Sequence, residues 1–204
     1  MITLIDYGVG NLNAFLNVYK RVDIPAKIAR TASDLSDAEK IILPGVGHFD
    51  HAMRKLNASG MRDKLDELVL HKKVPVIGIC VGMQMMANYS EEGDEEGLKW
   101  IDAGVKKFNE SKIKYVTKLP HMGWNDVKPV KDLNLFRGLE TDAIFYFLHS
   151  YYFECKNTDD IMAVSEYGVA FTSAAHHQNR YGIQFHPEKS HHYGEKLLYN
   201  FSQL

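Results

Sequence analysis

The residue with the clearest chemical potential is Cys80, at the centre of a short apolar segment. That segment reads Val76-Ile77-Gly78-Ile79-Cys80-Val81-Gly82-Met83-Gln84. An apolar strand that runs through Gly-x-Cys-x-Gly into a helix is a thiol version of the nucleophile elbow, in which a sharp turn exposes the nucleophile. Backbone N–H groups at the start of the helix then favour the thiolate form of the sulfur. Because Gly78 and Gly82 flank the cysteine, we favour a reactive thiol over a buried, inert one.

A base for this thiol is available near the C-terminus, in Gly182-Ile183-Gln184-Phe185-His186-Pro187-Glu188. His186 and Glu188 are two residues apart at the predicted end of a strand, and such residues share one face of an extended chain. The carboxylate can therefore accept the imidazole N–H, while the other ring nitrogen takes the proton of a thiol. Taken alone, the segment is about equally compatible with a catalytic role and with an exposed turn that has no catalytic role. With Cys80, it indicates a Cys-His-Glu triad.

A third turn could stabilise an anionic intermediate. Residues 41–47 read Ile-Ile-Leu-Pro-Gly-Val-Gly, which predicts a strand followed by a glycine-bearing turn. N–H groups of that turn, with the N–H of Val81, could form an oxyanion hole, and loss of one such donor typically costs about 3 kcal/mol of transition-state stabilisation. The turn residues concerned are Gly45, Val46 and Gly47. Pro-Gly-x-Gly turns are common, so this turn supports an oxyanion hole only because of its place in the strand order.

These motifs require elements that bring the ends of separate strands together. The first eighty residues alternate short apolar runs, at 2–5, 41–43 and 74–79, with helical patterns at 12–22 and 61–70. This alternation is typical of a parallel sheet wound with helices, and ligands of such sheets bind beyond the carboxyl ends of the strands. We therefore predict an α/β fold with the site along that edge.

The second half of the chain is predicted to be richer in strands. The acidic, glycine-bearing segment 88–97 predicts a surface loop that leads into it. Short strands are expected at 144–148, 162–165, 169–175 and 181–185, before a closing helix at about 191–201. No linker is visible, so residues 1–204 are predicted to form one domain.

Composition excludes several classes of protein. The 204 residues carry 24 Lys plus Arg against 26 Asp plus Glu, a net charge of -2 that gives no global attraction for nucleic acid or an anionic membrane. No stretch approaches the ~18 apolar residues of a membrane helix, and Asp6 interrupts the first apolar run, which predicts a strand and not a signal peptide. With two cysteines, Cys80 and Cys155, a disulfide framework is implausible. We expect a cytoplasmic protein with reduced thiols.

Two binding functions are less favoured. Histidines at 176, 177, 186, 191 and 192 invite a zinc site, but neighbouring side chains on a strand point to opposite faces and no Cys-x-x-Cys spacing is present. We expect neither a metal nor another cofactor. The aromatic residues between 145 and 153 could stack on nucleobases, yet alternation in a buried strand explains most of them.

Together, the three motifs resemble those of the triad glutamine amidotransferases, over essentially the whole chain. Four further segments are similar to the glutaminase subunits of imidazole glycerol phosphate synthases. They are Asp6-Tyr7-Gly8-Val9-Gly10-Asn11-Leu12, Pro44-Gly45-Val46-Gly47, Pro120-His121-Met122-Gly123-Trp124-Asn125 and Tyr146-Phe147-Leu148-His149-Ser150-Tyr151. The resemblance implies a class I glutamine amidotransferase-like, flavodoxin-like fold with an added β-rich portion. It also implies hydrolysis of glutamine to glutamate and ammonia, with Cys80 as nucleophile, His186 as base and acid, and Glu188 as the residue that orients it.

The resemblance implies further site residues. The positions that match those holding the amino-acid end of glutamine are Gln84, Glu92, His149, Ser150 and Tyr151.

A partner is implied as well. Members of the family dock on a barrel-shaped cyclase as a heterodimer and channel ammonia to it, and the cyclase makes imidazole glycerol phosphate and AICAR in histidine biosynthesis. By position, Asn11, Trp124, Tyr146 and Lys189 would lie on the face where ammonia leaves.

The acceptor of the ammonia stays open between two branches. Val81 stands where leucine is more usual in the family, and residues 14–21 resemble a paralogous branch associated with amidation of surface-polysaccharide sugars. The triad is the same in both branches. Two other classes are also considered: a non-catalytic regulatory scaffold, which the intact triad disfavours, and a thiol hydrolase or chaperone, which would lack the His-Pro-Glu segment.

Overall fold

The fold is organised around one large mixed sheet, seen in a computed structural model that describes residues 1–131 and 134–204. Within these residues the strands are β1 (Ile2–Ile5), β2 (Ala26–Ala29), β3 (Lys40–Gly45), β4 (Val76–Cys80), β5 (Tyr89–Ser90), β6 (Ala103–Lys107), β7 (His121–Asp126), β8 (Lys128–Pro129), β9 (Ile144–His149), β10 (Tyr151–Cys155), β11 (Ile161–Glu166), β12 (Ala170–His177) and β13 (Arg180–Ile183). The helices are α1 (Leu12–Arg21), α2 (Phe49–Ala58), α3 (Arg62–Asp66), α4 (Val81–Met85) and α5 (His191–Ser202).

The sheet has a parallel centre with an antiparallel extension. Its order is β2-β1-β3-β4-β13-β12-β10-β6-β5, and the first five of these strands are parallel to one another. Strands β12 and β10 continue the sheet in antiparallel pairing, and β11 joins β12 to β8. A small separate sheet pairs β7 with β9. The predicted α/β fold, with a parallel sheet and an added β-rich portion, is confirmed.

The register places the ends of three strands side by side. Ile79 of β4 is paired with Pro44 of β3 and with Ile183 of β13. Cys80, the last residue of β4, lies opposite Gly45. Since parallel strands end at the same edge, the segments that follow β3, β4 and β13 all emerge there.

Helices cover both faces of the sheet. The crossover from β1 to β2 and that from β3 to β4 run in opposite directions along the strand order, so right-handed connections place α1 and the α2–α3 segment on opposite faces. Helix α1 packs against α5, and α2 packs against α4. In α1, Phe15, Val18 and Tyr19 form the buried face, at the spacing of one side of a helix. None of the described helices is long and apolar enough to cross a membrane.

In the first half, the helix predicted over 61–70 is present, while the next strand and loop differ in detail from the prediction. The helix predicted over 61–70 is α3 followed by a π turn over Glu67–His71. The N–H of Val74 then donates to the carbonyl of Leu68 at 2.9 Å, so the following strand begins at Val76 and not at residue 74. The predicted loop 88–97 contains the short strand β5, which pairs with β6.

The strand predicted over 181–185 is also shorter than expected. It ends at Ile183, because the N–H of Gln184 donates to Ser173 of β12 at 2.9 Å and that of His186 donates to Tyr146 of β9 at 2.8 Å. The segment 184–186 therefore crosses from the large sheet to the small one. His186 and Glu188 do not lie on an extended strand; Glu188 belongs to a 3-10 turn over Pro187–Lys189.

Candidate active site

The predicted nucleophile lies at a strained turn between β4 and α4. Cys80 has φ 56° and ψ -114°, a positive φ that residues other than glycine rarely adopt. The bend is therefore at Cys80 itself and not at the flanking Gly78 or Gly82. The glycines instead permit close packing, since a Cβ on Gly78 would lie 2.6 Å from the carbonyl oxygen of Gly82. A Cβ on Gly82 would lie 2.0 Å from the carbonyl oxygen of Leu43.

The sulfur of Cys80 is almost enclosed, with 4% of the residue exposed. The side-chain amide Nε2 of Gln184 lies 3.7 Å from Sγ, in position to donate to it. The carbonyl of Leu148 lies 3.9 Å from Sγ on another side. The sequence interpretation missed Gln184, although the residue stands two positions before His186 in the motif.

The predicted base and its orienting carboxylate are paired. His186 Nδ1 lies 2.9 Å from Glu188 Oε1, and the two side chains are 5% and 4% exposed. The other carboxylate oxygen, Oε2, is buried and has no hydrogen-bond partner among residues 1–131 and 134–204. Its charge therefore acts mainly on the imidazole. The spacing predicted this contact correctly, although a 3-10 turn and not a strand forms it.

The protonation of His186 follows from its surroundings. Burial disfavours the imidazolium, but the facing Cys80 sulfur and the Glu188 carboxylate outweigh it and raise the pKa of His186 to about 10. The imidazole is therefore protonated at neutral pH. The protonated ring can then donate a hydrogen bond to the Cys80 sulfur.

A cavity of about 320 Å³ opens beside the sulfur and is called the Cys80 cavity below. Its lining brings together all three motifs and every residue predicted to hold an amino acid. The lining residues are Val46, Gly47, Cys80, Val81, Gln84, Glu92, Pro120, Leu148, His149, Ser150, Tyr151, His186 and Lys189. Its size lies at the lower end of the range for small-molecule sites.

Two of these predicted side chains are tied into the cavity wall. The amide Nε2 of Gln84 donates to the carbonyl of Tyr151 at 3.1 Å and to Oε1 of Gln184 at 3.0 Å. The ring of His149 contacts the same carbonyl through Nδ1 at 2.7 Å, and its Nε2 lies 2.9 Å from His121 Nδ1. Gln84 and His149 therefore shape the wall through the backbone of Tyr151.

Opposite charges line the same cavity. Glu92 supplies a carboxylate whose Oε2 accepts the N–H of Phe49, the first residue of α2, at 2.8 Å. Lys189 supplies an ammonium group. An amino acid, which carries one charge of each sign, complements such a lining.

The turn after β3 borders the cavity as predicted. A Cβ on Gly45 would lie 2.3 Å from the backbone nitrogen of Gly82, so this strand end packs directly on the nucleophile turn. The hydroxyl of Tyr7 donates to the carbonyl of Pro44 at 2.5 Å and fixes the strand end from the other side. The next two residues, Val46 and Gly47, are exposed, and Gly47 has φ +82°. The strand end is thus fixed while the turn that follows faces solvent.

Three of the four predicted interface residues form one cluster. The rings of Trp124 and Tyr146 meet edge to face at 6.3 Å, and Lys189 Nζ lies 5.5 Å above the Tyr146 ring. His191, which was not predicted here, stacks on Trp124 at 5.3 Å. Asn11 lies on the turn after β1, where its exposed side chain caps α1 by accepting the N–H of Ala14.

Two of the other histidines considered for a metal site make contacts elsewhere. His177 Nδ1 lies 2.9 Å from Asp160 Oδ1, and His176 Nε2 contacts the carbonyl of Gln178. Within the described ranges, no group of three or more His, Cys, Asp and Glu side chains is placed to hold a metal ion. Both cysteines are free thiols.

Known proteins resemble this chain over its full length. Residues 3–203 match the model of the family "Glutamine amidotransferase class-I". The imidazole glycerol phosphate synthase subunit HisH of Bdellovibrio bacteriovorus is 57% identical over 204 residues, which is 100% of both chains. The subunit HisH 2 of Pseudomonas aeruginosa is 47% identical, again over 100% of both chains.

A solved structure agrees in fold. A crystal structure described as a glutamine amidotransferase superposes with a TM-score of 0.76 at 18% identity, over 99% of this chain and 97% of the other. The predicted resemblance is confirmed: the chain belongs to the class-I glutamine amidotransferases, and within them to the HisH subunits of imidazole glycerol phosphate synthase.

Proposed function

We propose that Cys80, His186 and Glu188 form the triad with which this glutaminase hydrolyses glutamine. The observation that carries the proposal is the buried His186–Glu188 pair, 2.9 Å apart, whose imidazole faces the Cys80 sulfur at the wall of a cavity. A base held by a carboxylate beside a nucleophile is the arrangement that acyl transfer requires.

The proposed reaction has two steps. The Cys80 thiolate attacks the side-chain amide carbon of glutamine, and His186 gives a proton to the departing nitrogen, so that ammonia leaves and a γ-glutamyl thioester remains. Water then attacks the thioester while His186 takes its proton, and glutamate is released. Glu188 keeps the imidazole aligned through both steps.

The oxyanion of each step needs backbone donors. We assign this role to the N–H of Val81 and to those of Gly45, Val46 and Gly47, which adjoin the sulfur at the end of β3. The exposed Val46–Gly47 peptide can reorient at little cost, because glycine tolerates both signs of φ. Such a reorientation would allow the turn to respond to a docked partner.

The amino-acid end of glutamine is assigned to the opposite part of the lining. Glu92 attracts its ammonium group, and the segment of Ser150 and Tyr151 supplies backbone polar groups. Gln84 and His149 hold that segment in place through the Tyr151 carbonyl.

The partner is inferred to be the cyclase subunit of the synthase, in a heterodimer. Support comes from the relatives, which are named as subunits, and from exposed apolar side chains near the mouth of the cavity. These are Val46, Met122, Trp124 and Leu148. We infer that ammonia leaves past Asn11, Trp124, Tyr146 and Lys189 to the cyclase, which makes imidazole glycerol phosphate and AICAR in histidine biosynthesis. The reaction is assigned to the cytoplasm, where thiols stay reduced.

A second candidate acceptor of the ammonia is also considered. One relative is named HisH 2, which indicates more than one such subunit in that organism. Residues 14–21 also resemble the branch that serves sugar amidation. In this alternative the same triad would supply ammonia to a synthase that modifies a surface-polysaccharide sugar. A regulatory scaffold without catalysis is the third candidate, which the intact triad disfavours.

Glutamate release from glutamine separates these candidates. It is measured with the chain alone, with the cyclase, with the cyclase plus its phosphorylated ribosyl substrate, and with a sugar-modifying synthase, beside Cys80→Ala in each case. Strong stimulation by cyclase and substrate, lost in Cys80→Ala, supports the synthase. Stimulation by a sugar-modifying synthase alone favours the second acceptor, and no Cys80-dependent release in any mixture favours the scaffold.

A further inference from the structure

Two buried histidines, His121 and His149, connect the Cys80 cavity to a second cavity on the outside of the protein. His149 lines the Cys80 cavity. His121 lines the second cavity, of about 520 Å³, which we call the Trp124 cavity. Pro120 borders both cavities. The mechanism above gives the imidazole of His121 no task.

The hydrogen bonds of the pair have only one consistent direction. A carbonyl oxygen accepts only, so His149 Nδ1, at 2.7 Å from the carbonyl of Tyr151, carries a hydrogen. In a neutral ring His149 Nε2 is then an acceptor, and His121 Nδ1 at 2.9 Å must donate to it. His121 Nε2 is left as an acceptor for the amide Nδ2 of Asn125 at 3.2 Å. The three hydrogen bonds therefore run in one direction: Asn125 donates to His121, His121 donates to His149, and His149 donates to the carbonyl of Tyr151.

Both rings are held neutral and in fixed orientations. Burial lowers the pKa of His121 to about 4, and burial together with the neighbouring imidazoles lowers the pKa of His149 to about 3. The His121 ring contacts Tyr167 on one side at 4.1 Å and Phe147 at 4.8 Å, nearly parallel to each. A stacked ring cannot rotate freely, so the direction of its N–H groups is fixed.

The chain of contacts continues from Tyr151 to the nucleophile. The carbonyl of Tyr151 also accepts from Gln84 Nε2, which donates to Oε1 of Gln184 as well. The amide Nε2 of Gln184 then lies 3.7 Å from Cys80 Sγ. If the His121 ring sets the position of Tyr151, it therefore also affects the part of the Cys80 cavity where glutamine would bind.

We propose that His121 is a positioning residue for glutamine binding, which fixes the tautomer of His149 and through it the carbonyl of Tyr151. This rests on the proposed glutaminase function. Without the His121 N–H, His149 can adopt its other tautomer, which turns a lone pair of Nδ1 against the lone pairs of that carbonyl. The Tyr151 backbone then loses one of its two donors and shifts from the geometry that holds the amino acid.

The first test reads the tautomers directly and does not depend on catalysis. Nitrogen NMR of the uniformly ¹⁵N-labelled chain between pH 6 and 8 is expected to show His121 and His149 neutral, each with its hydrogen on Nδ1. In His121→Phe, which keeps a ring between Tyr167 and Phe147, the His149 signals are expected to move towards the Nε2–H form. A His149 ring that is charged, or protonated on Nε2 in the unmodified chain, would overturn the proposal.

The second test separates binding from chemistry in glutamate release, measured with the partner that stimulates it. His121→Phe is expected to raise KM for glutamine about tenfold with kcat changed by less than about threefold. His121→Asn places an amide donor close to the position of Nδ1 and is expected to recover most of the loss. Tyr167→Phe is the matched control, because it keeps the ring on His121 and removes only a hydroxyl bonded to Thr117 and Lys118.

Three results contradict the proposal in this assay. They are an unchanged KM in His121→Phe, equal losses in the Phe and Asn variants, and a loss confined to kcat. Absence of Cys80-dependent glutamate release from the unmodified protein would instead count against the proposed function, and the tautomer measurement would still decide on His121.

Discussion

His186 carries a charge in a place where burial alone would remove it. Its imidazole is nearly enclosed, yet the facing Cys80 sulfur and the Glu188 carboxylate hold its pKa at about 10. Since the unfolded value is about 6.5, the ion pairs stabilise the folded state fully below pH 6.5. That contribution is lost as the pH rises through about 10. The charged imidazole therefore remains beside the Cys80 sulfur over the neutral range.

Glu188→Gln tests this account at a single atom pair. The amide preserves shape but removes the charge, so the pKa of His186 is expected to fall and the alkaline limb of the kcat/KM profile to move down by about 1–3 pH units. Glutaminase activity at neutral pH is expected to fall roughly 10²–10⁴-fold. A pH–rate profile of both proteins checks this. An unshifted alkaline limb would show that Glu188 does not control the imidazole.

Residue types and spacing were sufficient to select Cys80, His186 and Glu188, because the Cys80 and His186 motifs carry their own local signals, and the structure places the three side chains together. Gln184 and His121 were not predicted as members of the site. Each reaches its partner only through tertiary contacts, Gln184 with Cys80 Sγ and His121 with His149 Nε2. Neither residue has a sequence spacing that predicts such a contact.

At the scale of elements, the close approach of α4 to β3 determines the shape of the site. Strand β3 ends at Gly45, which contacts the backbone of the nucleophile turn, and the carbonyl of Leu43 lies where a side chain at position 82 would be. The turn and the strand end therefore move together. Any side chain between them would separate the predicted oxyanion donors from the sulfur.

Gly82→Ala is expected to destabilise the protein by about 3 kcal/mol or more, because its Cβ would lie 2.0 Å from the Leu43 carbonyl oxygen. Gly60→Ala is the control: it has φ +72° and nothing within 4 Å, so only backbone strain of about 1 kcal/mol is expected. Urea unfolding of both variants measures the difference. Equal losses in the two variants would refute the steric account.

The order of elements was largely readable from the sequence, while several bounds were not. The apolar face of α2, at Phe49, Ala52, Met53 and Leu56, has helical spacing that the prediction overlooked. The end of β13 was set by bonds to Ser173 and Tyr146, which belong to two different sheets. Periodicity within one segment carries no information about such distant partners.

At the scale of the whole molecule, the site lies between two sheets and opens on one apolar face. The backbone of segment 184–186 is hydrogen-bonded to the large sheet and to the small one, so the position of His186 depends on both sheets. Trp124 and Met122, on β7 of the small sheet, are 45% and 61% exposed. A partner docked on this face would contact the sheet that holds the backbone of His186.

Met122→Glu tests the face as a docking surface. A charge at its centre is expected to weaken binding of the cyclase about fivefold or more and to reduce partner-stimulated glutamate release at limiting cyclase. Val130→Glu is the control, since Val130 is a similarly exposed apolar residue that follows β8 elsewhere on the protein. Calorimetric titration with the cyclase measures the affinity. Equal affinities of the two variants would place the interface on another face.

The positive φ of Cys80 has a consequence for what selection can favour at this position. A non-glycine residue in that conformation costs about 1–3 kcal/mol, so the fold would be more stable with glycine at the one position where the reaction needs sulfur. Cys80→Gly is expected to raise Tm relative to Cys80→Ala, which loses the thiol equally but keeps a Cβ. Differential scanning calorimetry compares them, and an equal or lower Tm for the glycine variant would contradict this. Selection for thermal stability alone would thus favour glycine at position 80, so the proposed nucleophile is retained against a stability cost.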